Sequence, residues 1–140
     1  MSKSTESAIA PQNQYLTKSA KSTIDPQELA LQVADAAADK KAADIVLLKV
    51  SEVSYLADYF VIITGFSRAQ LNAISESIEE RLAEKYDLLP ARISGRREGG
   101  WIVQDYTDVI VHIFLPEERE YYNLEAFWGH AERREFSQPS

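Results

Sequence analysis

Asp105 and Asp108 are the residues that by type could hold a divalent cation here, and they lie three positions apart. Metal-dependent nucleotidyl transfer needs two carboxylates on one face of a strand, which means alternate positions, and a glycine-serine helix start to hold a triphosphate. Asp105 and Asp108 instead span a predicted turn, and the candidate anion turn reads Gly65-Phe66-Ser67. That pattern does not fit the chemistry, so neither a metal nor another cofactor is expected. Two readings of the pair remain: residues that form the turn, or acceptors for the Lys or Arg of a partner. A nucleophilic site is no better supplied. There is no cysteine, the only histidines are His112 and His130, and no serine has a histidine-acid pair near it in sequence. Regular alternation puts His112 on the strand face of Ile110 and Phe114, as a half-buried strand histidine, and His130 is expected to face solvent. The chain does not read as an enzyme.

Recognition fits the residues better. Trp101 opens a strand directly after a Gly pair, and Asp105, Tyr106 and Asp108 crowd its turn, so large rings and acids meet at one rim. Aromatic anchors with a charged margin are typical of protein interfaces. Trp101 reads equally well as a core residue, since tryptophan is usually mostly buried. Tyr122 and Trp128 are the further partner-facing candidates.

The elements that position these residues follow from pattern. The run opened by Trp101 and the run from Val109 to Leu115 are β-branched and aromatic runs around a short polar break, which predicts two antiparallel strands and a tight turn. Asp44 to Val50 and Asp58 to Thr64 are continuous apolar runs of buried-strand type, joined by a link too short for a helical crossover. Leu88 to Ser94 is a poorer strand whose Pro90 points to an edge or a strand start. One helix starts at Asp25-Pro26-Gln27-Glu28 and runs to Lys41, with Leu29, Val33, Ala36 and Ala37 inward. A second starts at Ser67, with Leu71, Ile74, Ile78 and Leu82 on one face. A third begins at Pro116 and continues through Phe127 to a stop at Gly129, with Tyr121, Leu124, Phe127 and Trp128 covering one side. Arg96 and Arg97 read as a solvated loop tip. Residues 1–24 and 132–140 are expected to be disordered tails around a domain at 25–131.

With 140 residues the chain suffices for one hydrophobic core, and no apolar run is long enough to span a membrane. The absence of cysteine fits a reducing compartment. A net charge of -7 argues against broad nucleic-acid binding and favours a basic protein partner.

Several separated motifs in this order carry a resemblance: Asp58-Tyr59-Phe60-Val61-Ile62-Ile63-Thr64-Gly65, the run from Gly100 to Phe114, Pro116-Glu117-Glu118-Arg119, and Tyr122-Asn123-Leu124-Glu125 with Trp128. From about Pro26 to Ala131 the sequence resembles the ribosomal silencing factor family, also called RsfS, YbeB or Iojap. The resemblance implies a single α/β domain with a mixed sheet of about five strands flanked by helices, nucleotidyltransferase-like but without the catalytic carboxylate pattern. It further implies binding to the large ribosomal subunit through its fourteenth protein, a steric block to small-subunit joining, and repression of translation when nutrients are scarce. In that reading Trp101, Asp105, Tyr106 and Asp108 fall in the contact region, with Tyr122 and Trp128 beside it, and a homodimer competes for the surface. A ribosome-associated place in the cytoplasm is expected, with an organelle of bacterial descent as the alternative. Other readings are a large-subunit assembly factor and a residual Mg-dependent nucleotidyltransferase. The sequence departs from the family at Thr107, where glycine is usual, so the turn is expected to do without a free positive φ. Phe66 also replaces a small or polar residue after Gly65.

Overall fold

A computed structural model of the chain describes residues 24–97 and 99–138. The tail expected at residues 1–24 lies outside the described residues up to Thr23, and Ile24 already packs against the core. Helix α1 (Pro26–Ala38) is followed by strands β1 (Ala43–Lys49) and β2 (Tyr59–Thr64), then helix α2 (Arg68–Tyr86). Strands β3 (Arg92–Ser94), β4 (Trp101–Asp105) and β5 (Val109–Phe114) come next, then the short helices α3 (Pro116–Tyr122) and α4 (Leu124–Phe127) and a last strand, β6 (Glu132–Glu135). The strands make one six-stranded sheet in the order β3-β4-β5-β2-β1-β6.

Both long helices start where their caps dictate. The Asp25 carboxylate accepts from Glu28 N–H at 3.3 Å, and Ser67 Oγ accepts from Gln70 N–H at 3.1 Å, each satisfying a backbone donor that the first helical turn leaves open. Gln70 also ties α2 to the turn that follows α1, because its Nε2 donates to Lys40 O and Lys41 O at 3.0 and 3.1 Å. Helix α1 stops at Ala38, so Lys40 and Lys41 lie beyond its last turn. The predicted inward residues of α1 and α2 are all buried. They pack with Ile45, Leu47, Val61, Ile63, Ile102, Val109, Val111 and Ile113 on one face of the sheet.

The link from β1 to β2 joins antiparallel neighbours, as its length requires, while the central pair β2 and β5 is parallel. β4 and β5 form the predicted hairpin, with Trp101 opposite Phe114 and Asp105 opposite Ile110. The tight turn does use a positive φ, contrary to the expectation from Thr107: this residue sits at φ 74°, and Asp105 Oδ1 accepts its N–H at 2.7 Å. A local side-chain acceptor thus steadies a conformation that a β-branched residue rarely adopts.

Three further expectations are corrected. The segment 132–140, expected to be a disordered tail, contains β6, which pairs antiparallel with β1 from Val46–Glu135 to Lys49–Glu132. The sheet therefore has six strands rather than about five, because backbone pairing brings a charged segment to the open edge of β1, where Arg133 pairs with Glu125 at 2.8 Å and Phe136 packs against the core. The third predicted helix is broken at Asn123, whose left-handed φ of 47° ends α3 and redirects α4. That break turns Tyr121 and Phe127 outward, to 81% and 75% exposure, and leaves Leu124 and Trp128 to cover the sheet. Arg96 is not a free loop cation: its Nε donates to Ser75 Oγ at 3.0 Å and its Nη2 pairs with Glu79 at 2.8 Å.

Candidate functional site

Alternation along β4 sorts the candidate residues onto opposite faces. Ile102, Gln104 and Tyr106 face the long helices; Trp101, Val103 and Asp105 face the other way and are only half-buried. Tyr106 is therefore not a contact ring. It is 4% exposed in the helix-side core, its Oη accepts from Gln104 Nε2 at 3.0 Å, and burial pushes its phenol up to about 12. Gln104 in turn meets Ser75 Oγ at 2.5 Å, and with Arg96 on the same hydroxyl this network fastens the glycine-rich loop before Trp101 to α2. That loop turns at Gly95, φ 93°, where a Cβ would lie 2.1 Å from Trp101 O; no other residue fits.

The second face of the sheet carries the rings. Trp101 stacks on Phe114 at 4.9 Å between ring centroids and meets Tyr122 at 4.5 Å, and its indole Nε1 donates to His112 Nδ1 at 3.2 Å. His112 lies on this face with Ile110 and Phe114, as alternation predicts, and is 7% exposed. Burial lowers its pKa to about 4, so the imidazole is neutral at pH 7. Trp128 stands edge-on to Phe60 at 5.5 Å and caps the half of the face over β1 and β2.

The other half is left uncovered. Leu56, Phe60, Arg92, Ser94, Val103, Asp105, Ile110 and His112 line a groove of about 510 Å³ there. Leu56 also borders a second depression with Tyr55, Thr107 and Asp108, so the groove runs on toward the hairpin turn. Asp108 is fixed at that end through its carbonyl, which accepts from Asp58 N–H at 2.8 Å and Tyr59 N–H at 3.1 Å. Tyr122, 47% exposed, extends the aromatic surface beside Trp101, and the exposed Tyr55 and Leu56 stand at the turn end of the groove.

Of the sequence candidates, then, Trp101, Asp105 and Tyr122 border one open face, Asp108 lies at its turn end, Trp128 mainly covers sheet, and Tyr106 belongs to the opposite side. Sequence reasoning missed Phe60, Arg92, Val103 and Ile110 as groove residues, although the alternation that places His112 with Ile110 also places Val103 with Trp101. No group of three or more His, Asp or Glu side chains among the described residues is arranged to hold a metal ion. The strand carboxylates do not make up for it, since Asp105 serves the Thr107 turn.

The family described as "Ribosomal silencing factor during starvation" matches residues 23–140. A Bacillus subtilis ribosomal silencing factor, RsfS, is 41% identical over 106 residues, covering 75% of this chain and 89% of the relative. The chloroplastic protein Iojap of Zea mays is 38% identical over 102 residues, covering 73% of this chain and 44% of that longer protein. A crystal structure of a Chromobacterium violaceum protein superposes with a TM-score of 0.73 at 32% identity, covering 84% of this chain and 92% of the other.

Proposed function

Since this chain belongs to the ribosomal silencing factor family, we propose that it docks on the fourteenth protein of the large ribosomal subunit and, by occupying that position, keeps the small subunit from joining. Translation is thereby repressed when nutrients are limiting. The observation that carries this reading is the half-open sheet face, where Trp101 and the exposed Tyr122 stand 4.5 Å apart and the groove beyond them includes Asp105. Rings held on a sheet supply contact area at small entropic cost, and acidic neighbours match a basic protein surface. The net charge of -7 supports a protein rather than an RNA contact, because exposed phosphate repels such a surface. Blocking by bulk needs no chemistry at the site. A homodimer using the same face would compete with docking, and a cytoplasmic or organellar ribosome-bound location follows from the partner.

Sedimentation tests the reading. Added protein is expected to shift joined ribosomes toward free subunits in a sucrose gradient and to travel with the large subunit. Trp101→Ala removes the central ring from a half-buried position, so it is expected to stay folded while losing at least tenfold in subunit binding. Co-sedimentation of that variant at the wild-type level would show that the face is not the docking site.

A further inference from the structure

One cation stands apart from the proposed docking face and yet is tied to it. Arg96 reaches to α2, where its Nε donates to Ser75 Oγ at 3.0 Å and its Nη2 pairs with Glu79 at 2.8 Å. The same Ser75 holds β4: its Oγ donates to Gln104 Oε1, and its carbonyl accepts from Gln104 Nε2 at 3.2 Å. Ser75 and Gln104 are fully buried, so each of these bonds is costly to leave unmade. Trp101 begins the strand that Gln104 anchors, and by parity its ring takes the opposite face. One edge of Trp101 is fixed by β5, where it lies opposite Phe114. On the other edge the pairing of β3 with β4 ends at Ser94 and Val103; past that point Gly95 stands against Trp101 O, and Arg96 is next in the chain.

We propose that Arg96 is a positioning residue for docking: by clamping the loop before Trp101 to α2, it sets the angle at which that ring meets the partner. This rests on the docking reading above and adds a residue outside the contact face. A binding ring is effective only when the residues around it hold it in place. A guanidinium suits the task, because its planar fork reaches a hydroxyl and a carboxylate at once. Charge gives the inference a sign of its own. Arg96→Ala makes the net charge of -7 one unit more negative, which by attraction alone would strengthen association with a basic partner. Weaker binding is the opposite of what steering gives. Arg97, next on the same loop, is exposed and has no ion pair or side-chain hydrogen bond among the described residues. Arg97→Ala therefore makes the same change in charge without releasing the clamp.

Co-sedimentation of full-length variants with purified bacterial large ribosomal subunits tests this, together with the indole N–H signals of Trp101 and Trp128 in 15N-labelled protein. Arg96→Ala is expected to bind roughly fivefold more weakly than wild type. It is also expected to move or broaden the Trp101 signal, which reports the bond to His112, and to leave that of Trp128 in place. Arg96→Lys keeps a cation for Glu79 and is expected to recover part of the loss. Arg97→Ala is expected to bind at least as well as wild type. If Arg96→Ala binds like wild type while Trp101→Ala does not, the docking face stands and the clamp role falls. Equal losses in Arg96→Ala and Arg97→Ala would assign the effect to charge and overturn the clamp as well. So would a Trp101 signal that stays in place, or a Trp128 signal that moves as far, since the second means a general loosening of the fold. If Trp101→Ala also binds like wild type, the docking reading falls and takes this inference with it.

Discussion

At the scale of single residues, His112 ties acid stability to the proposed docking face. Its ordinary pKa is 6.5 and burial brings it to about 4 in the folded chain. Between those values the unfolded chain takes up a proton that the folded chain refuses, so stability falls as the pH drops from 6.5 toward 4 and levels off below. From about pH 7 to about pH 5 the loss attributable to this residue is about 2 kcal/mol. Urea unfolding of wild type and His112→Asn at both pH values reads it as the difference between the two slopes; equal slopes would show that His112 is not the titrating group. Tyr106 teaches a different lesson. Its composition made it look like a surface anchor, but it shares parity with Ile102 and Gln104, and parity rather than residue type decides which face a strand residue takes. Trp101, on the opposite parity, combines both of its readings: stacked on Phe114 yet half-open to solvent.

Among the elements, those with a local side-chain signal were legible and the one recruited by distant pairing was not. Asp25 and Ser67 announce α1 and α2 because capping residues and apolar periodicity point to the same boundaries. The β4–β5 hairpin follows from its two apolar runs. β6 reads Glu-Arg-Arg-Glu, all exposed, and nothing in that string marks a strand; what recruits it is the unpaired edge of β1. Asn123 could have been seen as a helix stop, since asparagine tolerates the left-handed region, but the aromatic spacing across it imitates a continuous helix. Arg119 then secures the broken pair, donating to Asp44 O and Thr64 Oγ1 at 2.6 and 2.8 Å and pairing with Glu125 at 2.9 Å. Its hydrogen bonds, with burial opposing, hold the Glu125 carboxyl below its ordinary pKa. Ending the chain after Ala131 removes β6 and lays bare the apolar edge of β1 from Val46 to Lys49. That truncation is expected to form large associated species in light scattering at concentrations where the full chain scatters as a small particle. Identical scattering would mean that β6 does not guard the edge.

For the whole molecule, charge is expected to set how it meets the proposed partner. With a net charge of -7, association with a basic ribosomal protein is expected to be fast at low salt and to weaken as salt screens the attraction. A rise from about 50 to about 300 mM salt is expected to lower the association rate several-fold and to change the dissociation rate little, as read by surface-immobilised large subunits. A salt-independent association rate would point to a purely apolar contact. The two faces of the sheet differ: the long helices seal one against a continuous core, and the short helices leave part of the other open, the part proposed above for docking.

The order of strands also sets a timetable for synthesis. β2 must wait for β5, some fifty positions later, before it gains its parallel neighbour, and β1 must wait longer still for residues 132–135. A growing polypeptide with this arrangement therefore shows unpaired strand margins until residues 132–135 have emerged, and chaperone capture of the nascent form is expected to be stronger before that point than after it.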